Sequence, residues 1–177
     1  MPAPVIRPEE PADFAAIASV VQAAFGSPDE PQLVAAIRAS PEYVPEWALV
    51  AELDGDIVGH VMINYATIVD GDTERRIAML SPLAVAPAHH GDGIGSALVR
   101  EVTALADAAG EPAVILEGSP TYYRRFGFEH SLKYNIEITL PSWAPPEAAQ
   151  VLRLKNYDPS LRGRVLYPRA FDIVSDH

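Results

Sequence analysis

The sequence predicts a mixed α/β domain, and three observations predict it. The length, 177 residues, is that of one domain rather than two. Meander-like strands come first, then a strand–helix–strand–helix run, then further strands. A glycine loop, Gly91–Asp92–Gly93–Ile94–Gly95, stands where a strand hands over to the clearest helix in the chain. We expect one domain over 1–177, with a core over about 3–130 and late strands and loops over 131–177.

Val5–Ile6–Arg7 reads as an opening strand. Pro11 suits a first helical position and Asp13 a first turn. Phe14, Ile17, Val20, Val21 and Ala24 then recur at helical spacing, which predicts a helix over 11–25. A shorter helix holds Leu33, Val34 and Ile37. Two strands, 47–53 and 56–68, flank the hairpin turn Asp54–Gly55. A further strand spans 75–85 and should bulge or splay at Pro82, which has no N–H to give to a ladder. Leu98, Val102, Leu105 and Ala109 form the stripe of the helix after the glycine loop, and Gly110 is its C-terminal cap. Ala113–Leu116 is a short buried strand. Ser119–Pro120 caps and starts a short helix holding Tyr122, Tyr123 and Phe126. Asn135–Leu140, Val151–Leu154 and Val165–Tyr167 read as late strands, and Pro141–Pro146 as a loop.

Composition excludes several functions. With 13 Lys and Arg against 24 Asp and Glu, the formal charge is −11. Such a surface does not suit sequence-independent binding to nucleic acid or to an anionic membrane. The absence of cysteine removes disulfides, thiolate metal sites and a Cys acyl-enzyme. The first residues carry Glu9 and Glu10 and no apolar core, so we expect a soluble cytoplasmic protein. His89, His90 and Asp92 sit on one turn without a distant partner, and we expect no metal.

The glycine loop gives an acidic protein a way to hold an anion. Glycine lets backbone approach a ligand, and a helix start presents unpaired N–H groups and partial positive charge. The loop lacks the lysine of a P-loop and the third glycine of a dinucleotide fingerprint.

Leu83–Ala84–Val85–Ala86–Pro87, followed by His90–Gly91–Asp92–Gly93–Ile94–Gly95–Ser96, and then Tyr123–Arg124–Arg125–Phe126–Gly127–Phe128, resemble the paired motifs of the GNAT superfamily of N-acetyltransferases. Over the tail, Gly163–Phe171 is similar to the YhbS type. The resemblance implies the acyl-CoA N-acyltransferase fold, a mixed central sheet flanked by helices and splayed between its middle strands. It also implies acetyl-CoA as co-substrate. Leu83, Ala84 and Val85 would lend backbone to the acetyl and pantetheine groups. His90, Gly91, Asp92, Gly93, Ile94, Gly95 and Ser96 would surround the pyrophosphate. His90 replaces the usual Gln or Arg, and Asp92 stands where a basic residue is frequent.

Acetyl transfer requires an amine to lose a proton and a thiolate to gain one. Tyr123, four residues before Gly127, matches the place of the family's general acid. Tyr122 reads as structural. Some members place a base where Met79 stands here, so that route is missing. Glu117, His60, Glu74 or a water chain are the alternatives, with Glu117 best placed. The partner is a small-molecule or peptide amine, and the assembly allows a homodimer. A catalytically idle acyl-CoA sensor on the same fold is the competing reading.

Overall fold

The structure, a computed structural model, describes residues 3–174. The chain divides into two compact units. The first holds the N-terminal stretch through Asn64 together with Ser81–Leu105, and the second holds Tyr65–Leu80 with the chain from Ala106 onward.

In the first unit, β1 (Val5–Pro8) pairs antiparallel with β2 (Ala48–Leu53), and β2 pairs antiparallel with the opening of β3 (Asp56–Asp70). The 11–25 helix divides: Pro11–Asp13 is a 3₁₀ turn, and α1 runs Phe14–Phe25. The division follows from side-chain chemistry. Asp13 accepts the Glu10 N–H at 2.8 Å and both arms of Arg7 at 2.8 and 3.0 Å, so the entry is a capping box rather than a regular turn. Ile17, Val20 and Val21 are the buried face of α1. Helix α2 (Asp29–Arg38) buries Leu33, Val34 and Ile37 as its spacing predicts. Helix α3 (Ile94–Ala108) lies over Gly59 of β3, where an added Cβ would stand 2.9 Å from Leu98 and 3.1 Å from Ile94. Its buried stripe is Leu98, Val99, Val102 and Ala106; Ala109 lies past the helix end and is exposed.

In the second unit the strand order is β3–β4–β5–β8–β6, with β9 pairing both β3 and β7. Strand β4 (Thr73–Val85) runs without interruption through Pro82. It is parallel to β5 (Ala113–Glu117) at Ala78–Val114 and Met79–Ile115, whereas β5 and β8 (Ala149–Arg153) are antiparallel along all of β5. The sheet is therefore mixed. Ala113, Val114 and Ile115 are fully buried, which is why this segment reads as a continuous apolar run. The predicted strand over 135–140 shrinks to β7, Ile136–Glu137, because Asn135 adopts φ 59 and ends a 3₁₀ turn. Strand β6 (Glu129–His130) pairs with β8, and β9 (Gly163–Leu166) with the end of β3. Helix α4 is short, Pro120–Tyr123, and continues as a 3₁₀ turn over Arg124–Phe126. Among the described residues no helix is long and apolar enough to cross a membrane.

Candidate active site

The glycine loop belongs to the first unit. Ala84 is buried, while its neighbours Leu83 and Val85 are half-buried. The His90 ring braces the loop, with Nε2 2.9 Å from the Val85 carbonyl oxygen; its own backbone N–H donates to Pro87 at 3.3 Å. Gly91 and Gly93 adopt φ +87 and +81, and a Cβ at either would meet nothing within 4 Å. The open side of this turn thus faces space, with backbone in the left-handed region that favours glycine. The Gly93 carbonyl accepts the Ala97 N–H at 3.0 Å, which makes Gly93 the residue from which α3 starts. The N–H groups of Ile94 and Gly95 open the helix, where backbone donors precede the first intrahelical carbonyl. An open, donor-rich turn on a 15-residue helix fits a pyrophosphate. Asp92 is exposed and pairs with His89, Nδ1 to Oδ2 3.2 Å.

The second unit carries the candidate proton-transfer residues Tyr123 and Glu117. Strand β5 ends at Glu117, and the chain turns through Gly118 and Ser119 into α4. Gly118 is clamped on both backbone groups: its N–H donates to Ala148 at 3.0 Å, and its carbonyl accepts Gln150 Nε2 at 3.0 Å. Ser119 caps α4, its Oγ accepting the Tyr122 N–H at 3.4 Å. The Tyr123 ring lies directly on Gly118, where a Cβ would stand 2.7 Å from Cε2. Its other contacts are edge-on to Tyr122, Phe126 and Phe128, at centroid distances of 4.9, 6.4 and 5.8 Å. Its hydroxyl has no hydrogen-bond partner among the described residues. Burial, helped by Tyr122, pushes the phenol above its ordinary value of 10, so it is fully protonated at neutral pH. Tyr122 packs on Phe126 and lies under the Arg125 guanidinium at 4.6 Å.

Glu117 is exposed, and Tyr167 donates its hydroxyl to Oε2 at 2.7 Å. Burial and the Glu117 charge push Tyr167 up, so it remains the donor. Tyr167 lies in the tail, 50 residues beyond Glu117, and only the folding of the tail brings the two together. A cavity of about 290 Å³ opens beside Glu117, lined also by Gly118, Leu140, Pro141, Trp143 and Ala148.

The other acid–base candidates are elsewhere. His60 is completely buried, and its Nε2 meets Glu9 Oε1 at 2.7 Å, so it is no solvent-linked base. Glu9 also accepts Arg38 Nε at 2.7 Å and the Tyr43 hydroxyl at 2.8 Å. Burial alone would push Glu9 up; the donors His60, Arg38 and Tyr43 outweigh it and hold the carboxyl at about 2. Glu74 is exposed near the start of β4, and Met79 is a core residue. Among the described residues no group of three or more His, Cys, Asp or Glu could hold a metal ion.

Residues 5–131 match the family model of an acetyltransferase (GNAT) domain. The N-acetyltransferase YhbS of Escherichia coli, itself uncharacterized, is 30% identical over 159 residues, covering 90% of this chain and 91% of YhbS. The uncharacterized N-acetyltransferase YjhQ of the same organism is 34% identical over 117 residues, and the match spans 66% of this chain and 65% of YjhQ. Two crystal structures share the fold. YhbS from Escherichia coli in complex with CoA superposes with TM-score 0.84 at 28% identity, covering 96% of this chain and 92% of YhbS. A GNAT family acetyltransferase from Brucella melitensis in complex with acetyl-CoA gives 0.77 at 34% identity, covering 96% of this chain and 98% of that protein.

Proposed function

The chain belongs to the GNAT acetyltransferase family, and from that premise we propose that it transfers the acetyl group of acetyl-CoA to a primary amine by direct attack in a ternary complex. It is an acyltransferase and acetyl-CoA is its co-substrate, supplying an acetyl group activated as a thioester. With no cysteine in the chain, a thiol acyl-enzyme is ruled out. In this reading Leu83, Ala84 and Val85 offer backbone to the acetyl and pantetheine portions. Gly91, Gly93, Ile94, Gly95 and Ser96 give N–H groups to the pyrophosphate, with His90 bracing the loop and Asp92 turned to His89.

Tyr123 serves the departing sulfur, and the observation that carries this is its phenol: protonated, half-buried and without an acceptor among the described residues. The same burial makes the phenol a weak acid. Full transfer to a free thiolate would run uphill, since thiols ordinarily lie near 8.5. The hydroxyl therefore acts first as a hydrogen-bond donor while charge builds on sulfur, and the proton moves as the C–S bond breaks. Glu117 takes the amine proton. A carboxylate is a poor base for a free ammonium of pKa about 10.4. Once the C–N bond forms, however, the nitrogen becomes far more acidic and a carboxylate suffices. The incoming amine is thus drawn from its small free-base fraction.

The experiment is steady-state kinetics of Tyr123→Phe and Tyr122→Phe with thiol release as readout, beside a CoA titration. Tyr123→Phe should lower kcat about 10²–10⁴-fold with CoA affinity unchanged, and Tyr122→Phe should stay near the parent. Equal kcat in Tyr123→Phe, with chemistry rate-limiting, would reject the role. CoA binding without any amine turnover would favour the idle sensor.

A further inference from the structure

We propose that the acceptor is an apolar monoamine, an arylalkyl- or long alkylamine, with its amino nitrogen at Glu117 and its hydrocarbon body in the cavity beside Trp143. The inference rests on the acetyltransfer reading and names the substrate class.

The cavity has one charged wall and otherwise apolar ones. Among the described residues Glu117 is the only ionisable one lining it, against Leu140, Pro141, Trp143, Ala144 and Ala148. Tyr167 occupies Oε2 of Glu117 and fixes the carboxylate. No other donor among the described residues reaches the group, so Oε1 is open to a ligand. The one lining hydroxyl, Ser119 Oγ, is already engaged by Thr121 and by the Tyr122 N–H. A ligand here finds one anionic anchor and, among the described residues, no second charged partner; the one further side-chain donor is the Trp143 indole N–H.

Volume and exposure agree with that chemistry. About 290 Å³ equals roughly ten water volumes at about 30 Å³ each, which suits a phenyl or hexyl body. Trp143 is 80% exposed on a proline-rich loop. A lone indole so exposed loses nothing by covering a ligand, and its face attracts a cation. A polyamine would bury a second ammonium against apolar walls without a partner, which is strongly unfavourable. A free amino acid would bring its carboxylate beside Glu117 and be repelled. In the reaction the amine nitrogen forms the new C–N bond and the thioester C–S bond breaks. One N–H proton passes to Glu117, and the sulfur leaves as the thiol after taking up a proton, giving an amide and CoA.

The test is a panel at constant acetyl-CoA: phenethylamine and hexylamine against putrescine, spermidine, lysine and a short peptide with a free N-terminus. The apolar monoamines should exceed the rest in kcat/KM by about 10–100-fold, the worth of burying one large apolar group. Trp143→Ala should raise KM for phenethylamine at least about fivefold while CoA affinity holds. Preference for the polyamine, amino acid or peptide overturns the proposal and leaves acetyltransfer intact. So does an unchanged KM in Trp143→Ala. Acetyl-CoA binding with no amine of the panel acetylated also overturns it, and failure to bind acetyl-CoA overturns the acetyltransfer reading itself.

Discussion

Adding one methyl group at Gly118 should slow the enzyme without replacing any ionisable side chain. Gly118 is not in the left-handed region, so alanine meets no backbone penalty there; the conflict is contact alone. An alanine Cβ would lie 2.7 Å from Tyr123 Cε2 and 3.1 Å from Cδ2. To restore an ordinary contact of 3.4 Å the ring must retreat by about 0.7 Å. Gly118 cannot yield instead, because Ala148 and Gln150 hold both of its backbone groups. Phe126 and Phe128 stand edge-on to the ring, so it tilts rather than slides. Overpacking of this kind typically costs about 1–3 kcal/mol of stability, and a misplacement near 1 Å is worth about 10²-fold in rate. Gly118→Ala should therefore fold, bind CoA like the parent, and lose about 30–100-fold in kcat. The double variant Gly118→Ala with Tyr123→Phe should be scarcely slower than Tyr123→Phe alone, because both substitutions act on one hydroxyl. Thiol-release kinetics on the four proteins, with a thermal melt of each, provide the assay. Parental kcat in Gly118→Ala, or losses that multiply in the double variant, would refute the reasoning.

Two further outcomes follow from other parts of the molecule. Gly93→Val places a β-branched residue at φ +81 and blocks the start of α3; CoA affinity should fall at least about tenfold, with about 1–2 kcal/mol of strain, and unchanged affinity in a folded variant would remove the loop from the binding site. The Glu9–His60 pair sets an acid limit on stability. Burial holds His60 neutral, below its ordinary 6.5, so as pH falls through 6.5 the unfolded chain gains a proton that the folded chain refuses. Glu9 lies at about 2 against an ordinary 4.5, so its contribution is complete above 4.5 and is lost as pH falls towards 2. Both slopes have the same sign. The melting temperature should fall from pH 7.5 to pH 5, and His60→Gln should flatten that decline; a flat profile in the parent would contradict the burial argument.

The parts of this protein legible in sequence are those specified by neighbours along the chain. The α2 face, the Gly110 cap, the Asp54–Gly55 turn and the Ser119 cap each depend on residues within one turn, and each stands where the spacing puts it. The Gly110 N–H donates to the Asp107 carbonyl, and the next N–H, of Glu111, donates to that of Ala106. The glycine loop was legible because positive φ and a helix start leave a mark in composition. What escaped depends on distant segments meeting. Nothing near Tyr167 points to Glu117, and nothing near Glu9 announces that His60, Arg38 and Tyr43 would close around it. The 135–140 segment has the composition of a strand, but only two of its residues find a partner, β9. The Asp13 capping box is half-visible in the sequence: the acid marks a first turn, whereas its Arg7 partner lies on another element.

Helix α4 is four residues long, too short to form on its own. Side-chain packing, rather than a backbone ladder, keeps Tyr123 in place. Heat should therefore dismantle the two in sequence. The aromatic shelf of Tyr122, Tyr123, Phe126 and Phe128 opens locally at a free-energy cost below that of the whole domain, and turnover disappears while the strands beneath still resist deuterium exchange. An organism could move the working temperature of such an enzyme by repacking four rings, leaving the rest of the chain as it stands.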